Sequence, residues 1–455
     1  MKPCAPGAWP WRLAAAWLAL LGPLFYLTYG LANWWAGRQW AAGHVPSVVF
    51  DWERHIPFWD WTIFPYWSIN VFYGLSLFLS CSTHRINRHA ARLLTAQAVA
   101  VTCFVLWPLH FSFGQPEAHG AAAWLFNALR GFDQPFNQAP SLHIALAVIL
   151  WDWYRQLWTK PWQRVVLHVW TLAICASVLT TYQHHFIDIP TGALLGVACV
   201  WLWPLERAAS LPAAWRLSRD RQRRKLALFY GLGALACWAL GLMGGGWALW
   251  LCWPAASLAV VALNYLGFGA RGFRMDGTGR MHWSTRWLLA PYQWGAALNA
   301  WAWTRRLPAK VQVAPGLWLG RRPSSAEWLA AGQPAVFSLC AELPLPAAVQ
   351  PGSRCLPWLD LVAADAPALR RAAQHIQALR QTSSSGVWVC CALGFSRSAA
   401  AVAAWQLRYG QAASAEQALA LVRAARPQLV LGPLWMQGLR VLKPPPIFKN
   451  DEQHP

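Results

Sequence analysis

Two sets of residues in this chain have the types and spacing to do chemistry. The first is Cys390-Cys391-Ala392-Leu393-Gly394-Phe395-Ser396-Arg397-Ser398, which follows the apolar run Val387–Val389 and leads directly into a helical period. A loop between a strand and a helix N-terminus turns backbone N–H groups toward one point, so Ala392, Leu393, Gly394, Phe395 and Ser396 are expected to cradle a phosphate. That positive environment stabilises a Cys391 thiolate. Arg397, six residues on, offers a planar fork matched to phosphate oxygens. The second set is His143 in Pro140-Ser141-Leu142-His143, with His184 and Asp188 in Gln183-His184-His185-Phe186-Ile187-Asp188. Two imidazoles and a carboxylate can move a phosphoryl group through a phosphohistidine. One imidazole attacks phosphorus, the carboxylate orients and charge-balances it, and the other imidazole protonates the leaving oxygen.

The two sets require different surroundings. The chain has 455 residues and a net charge of +21, yet only 12% of its residues are charged, 56% are hydrophobic and 35 are Trp. This composition excludes a disordered chain. The basic residues punctuate long apolar runs rather than gathering in a patch, so no nucleic-acid partner is expected, and Trp at this level fits side chains seated at membrane–water interfaces. Apolar stretches of about 20 residues predict eight spans, near 12–33, 62–81, 93–112, 141–157, 166–183, 189–205, 226–244 and 247–268. Thirteen basic residues fall in alternate loops (Arg85, Arg88 and Arg92; Arg155, Lys160 and Arg164; Arg207 and Arg216 to Lys225). The intervening loops hold only Arg38, Arg54 and Arg130. By the positive-inside rule both termini are cytoplasmic, in a multi-pass protein expected in a bacterial inner membrane. His143, His184 and Asp188 then lie together on the extracytoplasmic side, where ionisable groups are costly and mark function. Lys2 and Arg12 precede the first stretch without a cleavage site, so it is read as a retained span.

Residues 269–310 form a basic, aromatic connector. Trp287, Trp294, Leu298 and Trp301 recur at helical intervals, as in a helix lying in the headgroup region or packed on the next domain. From 311 to 443 the pattern alternates. Strand-like runs at Gly316–Gly320, Ala335–Leu339, Cys355–Leu359 and Val387–Val389 are interleaved with helical periods at Ala366–Leu379, Ser398–Tyr409 and Ala415–Ala425. The fold class is therefore a polytopic α-helical membrane domain over 1–268 followed by a cytoplasmic α/β domain, with a polar tail at 444–455. The eleven cysteines match neither a zinc site nor a disulfide framework.

Cys391, Gly394, Arg397 and Ser398 in this strand–loop–helix setting resemble the dual-specificity branch of the protein tyrosine phosphatase superfamily, whose signature is H-C-x2-G-x2-R-[ST]. The resemblance spans roughly Gly316–Leu442. It implies a phosphocysteine mechanism in which Cys391 attacks, Arg397 and the loop hold the phosphoryl oxygens, and Ser398 eases thiolate departure. It also implies an acid Asp some thirty residues upstream. Asp360, 31 residues before Cys391, fits, with Asp365 as the fallback. Cys390 stands where the signature has His. In the membrane half, Pro140-Ser141-Leu142-His143 and the Ser177–His184–Asp188 spacing resemble the type 2 phosphatidic acid phosphatase superfamily over about residues 40–206. That resemblance implies His184 as nucleophile, Asp188 as its orienting partner and His143 as general acid. The family's K-x6-R-P motif is absent and Val178 replaces the motif-three Arg, a pattern closer to the sphingomyelin and inositol-phosphoceramide synthase branch.

Together these readings predict a bifunctional membrane phosphatase acting on phospholipid or isoprenoid phosphates, with no metal or cofactor needed in either site. A membrane-tethered protein phosphatase acting on phosphoproteins is the enzymatic alternative. A non-catalytic membrane scaffold is the other.

Overall fold

The computed structural model describes residues 9–131, 133–206 and 210–442; Lys2, Cys4, Phe132, Arg207 and the polar tail lie outside them. The chain divides into two compact units. One comprises Met1–Ala214 with Leu240–Trp250, the other Trp215–Ala239 with Leu251–Pro455. Most of the last two expected spans thus groups with the α/β part of the chain.

The first unit is helical: α1 (Trp11–Ala41), α2 (Ile63–Phe78), α3 (Thr83–Leu106), α4 (Gly120–Arg130), α5 (Leu142–Leu157), α6 (Pro161–Thr180), α7 (Asp188–Leu202) and α8 (Leu211–Ala214). Among the described residues, five helical stretches are long and apolar enough to cross a membrane. They are Trp11–Ala41, Thr83–Leu106, Pro161–Thr180, Arg221–Gly244 and Gly246–Phe273. Helices α2, α5 and α7 occupy three further expected span positions but are shorter. Helix α3 begins ten residues before the expected span, because the Ser82 hydroxyl caps it by accepting the Arg85 N–H at 3.4 Å. Arg92 is therefore a helical residue, buried and paired with Asp152 at 2.8 Å. Helix α4, missed by hydropathy, is only 11 residues long. Cys81 departs from expectation in being disulfide-bonded; nine other cysteines, Cys390 and Cys391 among them, are free.

Helices α5 and α7 approach closely because α7 carries glycine where they cross. A Cβ at Gly192 would lie 2.5 Å from the Ser141 carbonyl oxygen, and one at Gly196 would lie 2.7 Å from that of Ala145. This contact brings the starts of the two helices together: the Ser141 N–H donates to the Asp188 carbonyl at 3.3 Å. Motif residues more than forty positions apart in sequence thereby become neighbours.

The second unit holds α9 (Arg221–Gly244) as far as Ala239, then α10 (Cys252–Leu263), α11 (Trp283–Leu288) and α12 (Ala290–Thr304) before the sheet. Trp287 lies on α11 and Trp294, Leu298 and Trp301 on α12, so the expected single stripe is shared by two helices; all four side chains are more than half exposed. The sheet has the order β1-β2-β5-β3-β4, from β1 (Lys310–Ala314), β2 (Leu317–Arg321), β3 (Ala335–Cys340), β4 (Arg354–Trp358) and β5 (Val387–Cys391). β1 is antiparallel to β2 and the other pairings are parallel. Short α13 (Ser325–Ala330) precedes β3; α14 (Ala366–Thr382), α15 (Arg397–Tyr409), α16 (Ala415–Ala425) and α17 (Pro433–Arg440) complete the chain. Leu319, Phe337, Leu339, Val387 and Val389 pack with Leu369 and Ile376 of α14 and the alanines of α15 in one core. The alanine run on α15 is buried throughout, which lets this helix lie close to the sheet. β5 ends at the centre of the sheet, and Cys391 stands at its carboxyl end, where open α/β sheets bind ligands.

Candidate active sites

The loop from Cys391 to Arg397 turns tightly between β5 and α15. Gly394 has φ +80°, and a Cβ there would lie 2.5 Å from the Gly320 carbonyl carbon and 2.8 Å from the Arg321 nitrogen. The loop can therefore pass β2 only with glycine at this position. The Cys391 sulfur accepts from the Gly394 N–H at 3.2 Å and from the Ser398 hydroxyl at 3.3 Å. Both donors point at the sulfur that would attack a substrate. Arg397, the first residue of α15, is 1% exposed. Its guanidinium makes a bidentate pair with Glu342 at 2.7 and 2.5 Å, donates to the Trp358 carbonyl at 3.0 Å and meets an Asp360 carboxylate oxygen at 3.0 Å.

Two carboxylates on one guanidinium divide into different roles. Burial works against a charged Glu342, but the Arg397 charge and hydrogen bonds outweigh it and hold this carboxyl below its ordinary pKa. Asp360 is half-buried in the loop after β4; burial and the nearby Glu342 charge outweigh the attraction of Arg397, so its pKa is raised. A carboxyl whose pKa is raised is the better suited of the two to act as a general acid. Asp365 is placed elsewhere, capping α14 by accepting the Ala368 N–H at 2.8 Å. Sequence reasoning missed Glu342. The only available signal was the need of a buried arginine for a buried partner, which does not say where in the chain the partner lies.

Solved phosphatase structures are similar to part of this chain. A mouse putative dual specificity phosphatase complexed with zinc tungstate shares 27% identity over 29% of this chain and 84% of its own, with a TM-score of 0.26. Human DUSP28 shares 26% identity over 29% of this chain and 90% of its own, also at 0.26. Tk-PTP in the active form shares 26% over 29% and 95%, at 0.27. Neither a protein-family model nor a curated protein sequence matches the chain.

Behind the loop lies a second cation that sequence reasoning missed. Arg426, 1% exposed, donates to the Leu393 carbonyl at 3.3 Å and stacks on Phe395 at 5.2 Å. Cys390, in the position of the signature His, is fully buried in β5, and burial pushes its thiol pKa up, away from reactivity. Arg426 thus brings a buried cation to the Leu393–Phe395 part of the loop from a different part of the chain.

In the helical unit, His184 Nδ1 pairs with an Asp188 carboxylate oxygen at 3.0 Å, and its Nε2 faces the Ser141 hydroxyl at 3.2 Å. With Nδ1–H donated to the carboxylate, the lone pair sits on Nε2, the nitrogen that can act as nucleophile. The His143 ring stacks on Tyr66 at 4.1 Å, and its buried Nε2 has no hydrogen-bond partner. The fold brings all three expected residues together and adds Ser141. His185 points elsewhere, bridging Glu53 at 2.9 Å and Ser112 at 3.1 Å. Arg130 bonds Gln115 and Asn127.

Proposed function

We propose that this chain is a bifunctional integral-membrane phosphatase acting on phospholipid or isoprenoid phosphates. The observation that carries the reading is the Cys391 sulfur held by the Gly394 N–H and Ser398 hydroxyl, with Arg397 fixed beside it by Glu342. In the proposed reaction the Cys391 thiolate attacks phosphorus, while Arg397 and the loop amides hold the non-bridging oxygens. As the bond to the leaving oxygen breaks, Asp360 delivers its proton there. Water then cleaves the phosphocysteine to inorganic phosphate, and the Ser398 hydroxyl stabilises the departing thiolate. In the helical unit, of type 2 phosphatidic acid phosphatase kind on this reading, His184 is the nucleophile, Asp188 its orienting partner and His143 the acid. The proposed arrangement has eight spans, cytoplasmic termini and the two sites on opposite membrane faces. The test is to quench the full-length protein in detergent during turnover of a labelled phosphomonoester. Label on Cys391 in the wild type, and none in Cys391→Ser, is expected. Undiminished turnover in Cys391→Ser would reject the mechanism.

A further inference from the structure

A cavity of about 360 Å³ opens beside the Cys391 loop. On one side it is lined by Asp360 and Leu393, on the other by Tyr230 of α9, Leu258 of α10, and Tyr292 and Gly295 of α12. All of these residues belong to the second unit. Helices α9 and α10 lie in stretches long and apolar enough to cross a membrane, so one wall of the cavity beside the reactive loop is built from membrane-type helices. A phosphatase acting on water-soluble phosphoesters has no use for such a wall.

The cavity lining combines the polar and apolar groups that a lipid phosphate requires. At the loop end stand the Arg397 partners Glu342 and Asp360. Tyr230 and Tyr292 also line it: Tyr230 stacks on Tyr265 at 5.4 Å and meets Tyr292 edge-on at 5.8 Å. Tyrosine suits the boundary between headgroup and hydrocarbon, having an apolar ring and a polar tip. The lining also includes Pro254, Leu258, Ala296 and the polar Asn299. Tyr230 lies five residues past Lys225 on α9, about 8 Å of helix rise beyond the last residue of the Arg221–Lys225 basic cluster. The outer face of α12 shows exposed Trp294, Leu298 and Trp301, as expected of a helix whose other side meets lipid.

We propose that this cavity holds the first part of the hydrocarbon chain of a lipid phosphomonoester, which enters from the bilayer with its phosphate directed to the Cys391 loop. The inference rests on the phosphatase reading above and adds to it the substrate's apolar moiety and where that moiety binds. On this geometry the chain remains partly in the membrane during the reaction, and the substrate need not leave the bilayer.

The experiment uses the full-length protein in nonionic detergent. Straight-chain alkyl phosphates from butyl to hexadecyl are compared with p-nitrophenyl phosphate, which has no chain. In the wild type, kcat/KM should rise with chain length by up to about fourfold per methylene and then level off when the cavity is filled. A Cβ at Gly295 meets nothing within 4 Å, so Gly295→Trp should fill the cavity, move the plateau to shorter chains and lower the long-chain to p-nitrophenyl rate ratio by about tenfold. Leu258→Ala should move the plateau to longer chains, and serves if the Trp variant does not fold. A flat wild-type profile, or a plateau unmoved in a folded variant, overturns the chain site while Cys391-dependent p-nitrophenyl phosphate hydrolysis stands. Loss of that hydrolysis in the wild type would instead remove the phosphatase reading, and this inference with it.

Discussion

The Tyr265 hydroxyl donates to the main-chain carbonyl of Asp360 at 3.0 Å. Tyr265 lies just past α10 and is buried, whereas Asp360 sits in the loop after β4, next to Leu361 with its left-handed φ of 57°. The helix that continues an apolar stretch thus holds the backbone of the expected acid. Removing one such hydrogen bond costs about 1 kcal/mol, or roughly fivefold in a rate that depends on it. Tyr265→Phe should therefore slow hydrolysis of alkyl phosphates about fivefold while leaving the rate of Cys391 alkylation unchanged. Equal losses in both would show that the contact supports the fold alone.

The raised pKa of Asp360 has a defined signature in pH–rate profiles. The acid form is the reactive one, so kcat/KM for a poor leaving group should fall as pH rises through that raised value. Aryl phosphates with good leaving groups, which need no proton, should lack this limb. Asp360→Asn should remove the limb and slow alkyl phosphates by about 10²–10⁴. If Asp365→Asn does this and Asp360→Asn does not, the acid is misassigned.

Glu342 and Arg397 form a buried pair, and breaking such a pair leaves an uncompensated charge. Glu342→Ala should destabilise the protein by about 3–5 kcal/mol. Glu342→Gln keeps a hydrogen-bonding side chain of the same length and should cost less. Thermal unfolding of the purified chain compares the two, and a smaller loss for the Ala variant would contradict the pairing.

What could be read from the sequence follows the range of the interactions involved. The loop Cys391–Arg397 was legible because its chemistry lies in seven consecutive residues between a strand and a helix. Strands β2 to β5 announced themselves as apolar runs, while β1, reading Lys-Val-Gln-Val-Ala, is a short edge strand with too little hydrophobicity to signal itself. Glu342 and Arg426 were not legible, since each acts 35 or more residues from Cys391 and its role exists only after the sheet has formed. The early start of α3 was hidden because Arg85, Arg88 and Arg92 read as a basic loop, whereas Asp152 neutralises the buried Arg92 within the helix packing.

Arg426 is buried behind the Cys391 loop, donating to the Leu393 carbonyl and stacking on Phe395. A buried cation favours a neighbouring thiolate, so removing it should raise the pH at which Cys391 reacts. Arg426→Met preserves much of the side-chain volume and should shift the midpoint of iodoacetamide alkylation upward. Cys390→His in that background should restore part of the shift. An unmoved midpoint in Arg426→Met would limit Arg426 to holding the Leu393 carbonyl.

The two sites should fail independently, because they lie in different compact units of the chain. His184→Ala should abolish phosphohistidine chemistry in the helical unit and leave Cys391-dependent aryl phosphate hydrolysis intact. On the proposed reading this site has few phosphate-binding cations: Val178, in place of an arginine, is buried, and the Arg130 guanidinium is engaged by Gln115 and Asn127. A site short of phosphate-binding charge stabilises free phosphate poorly as a product, which favours an alcohol acceptor over water. Labelled phospholipid in proteoliposomes, with and without lipid or sugar alcohols, should yield a His184-dependent transfer product. Rapid release of free phosphate without transfer would identify a hydrolase, and no His184-dependent reaction on any phospholipid would reduce this half of the chain to an anchor.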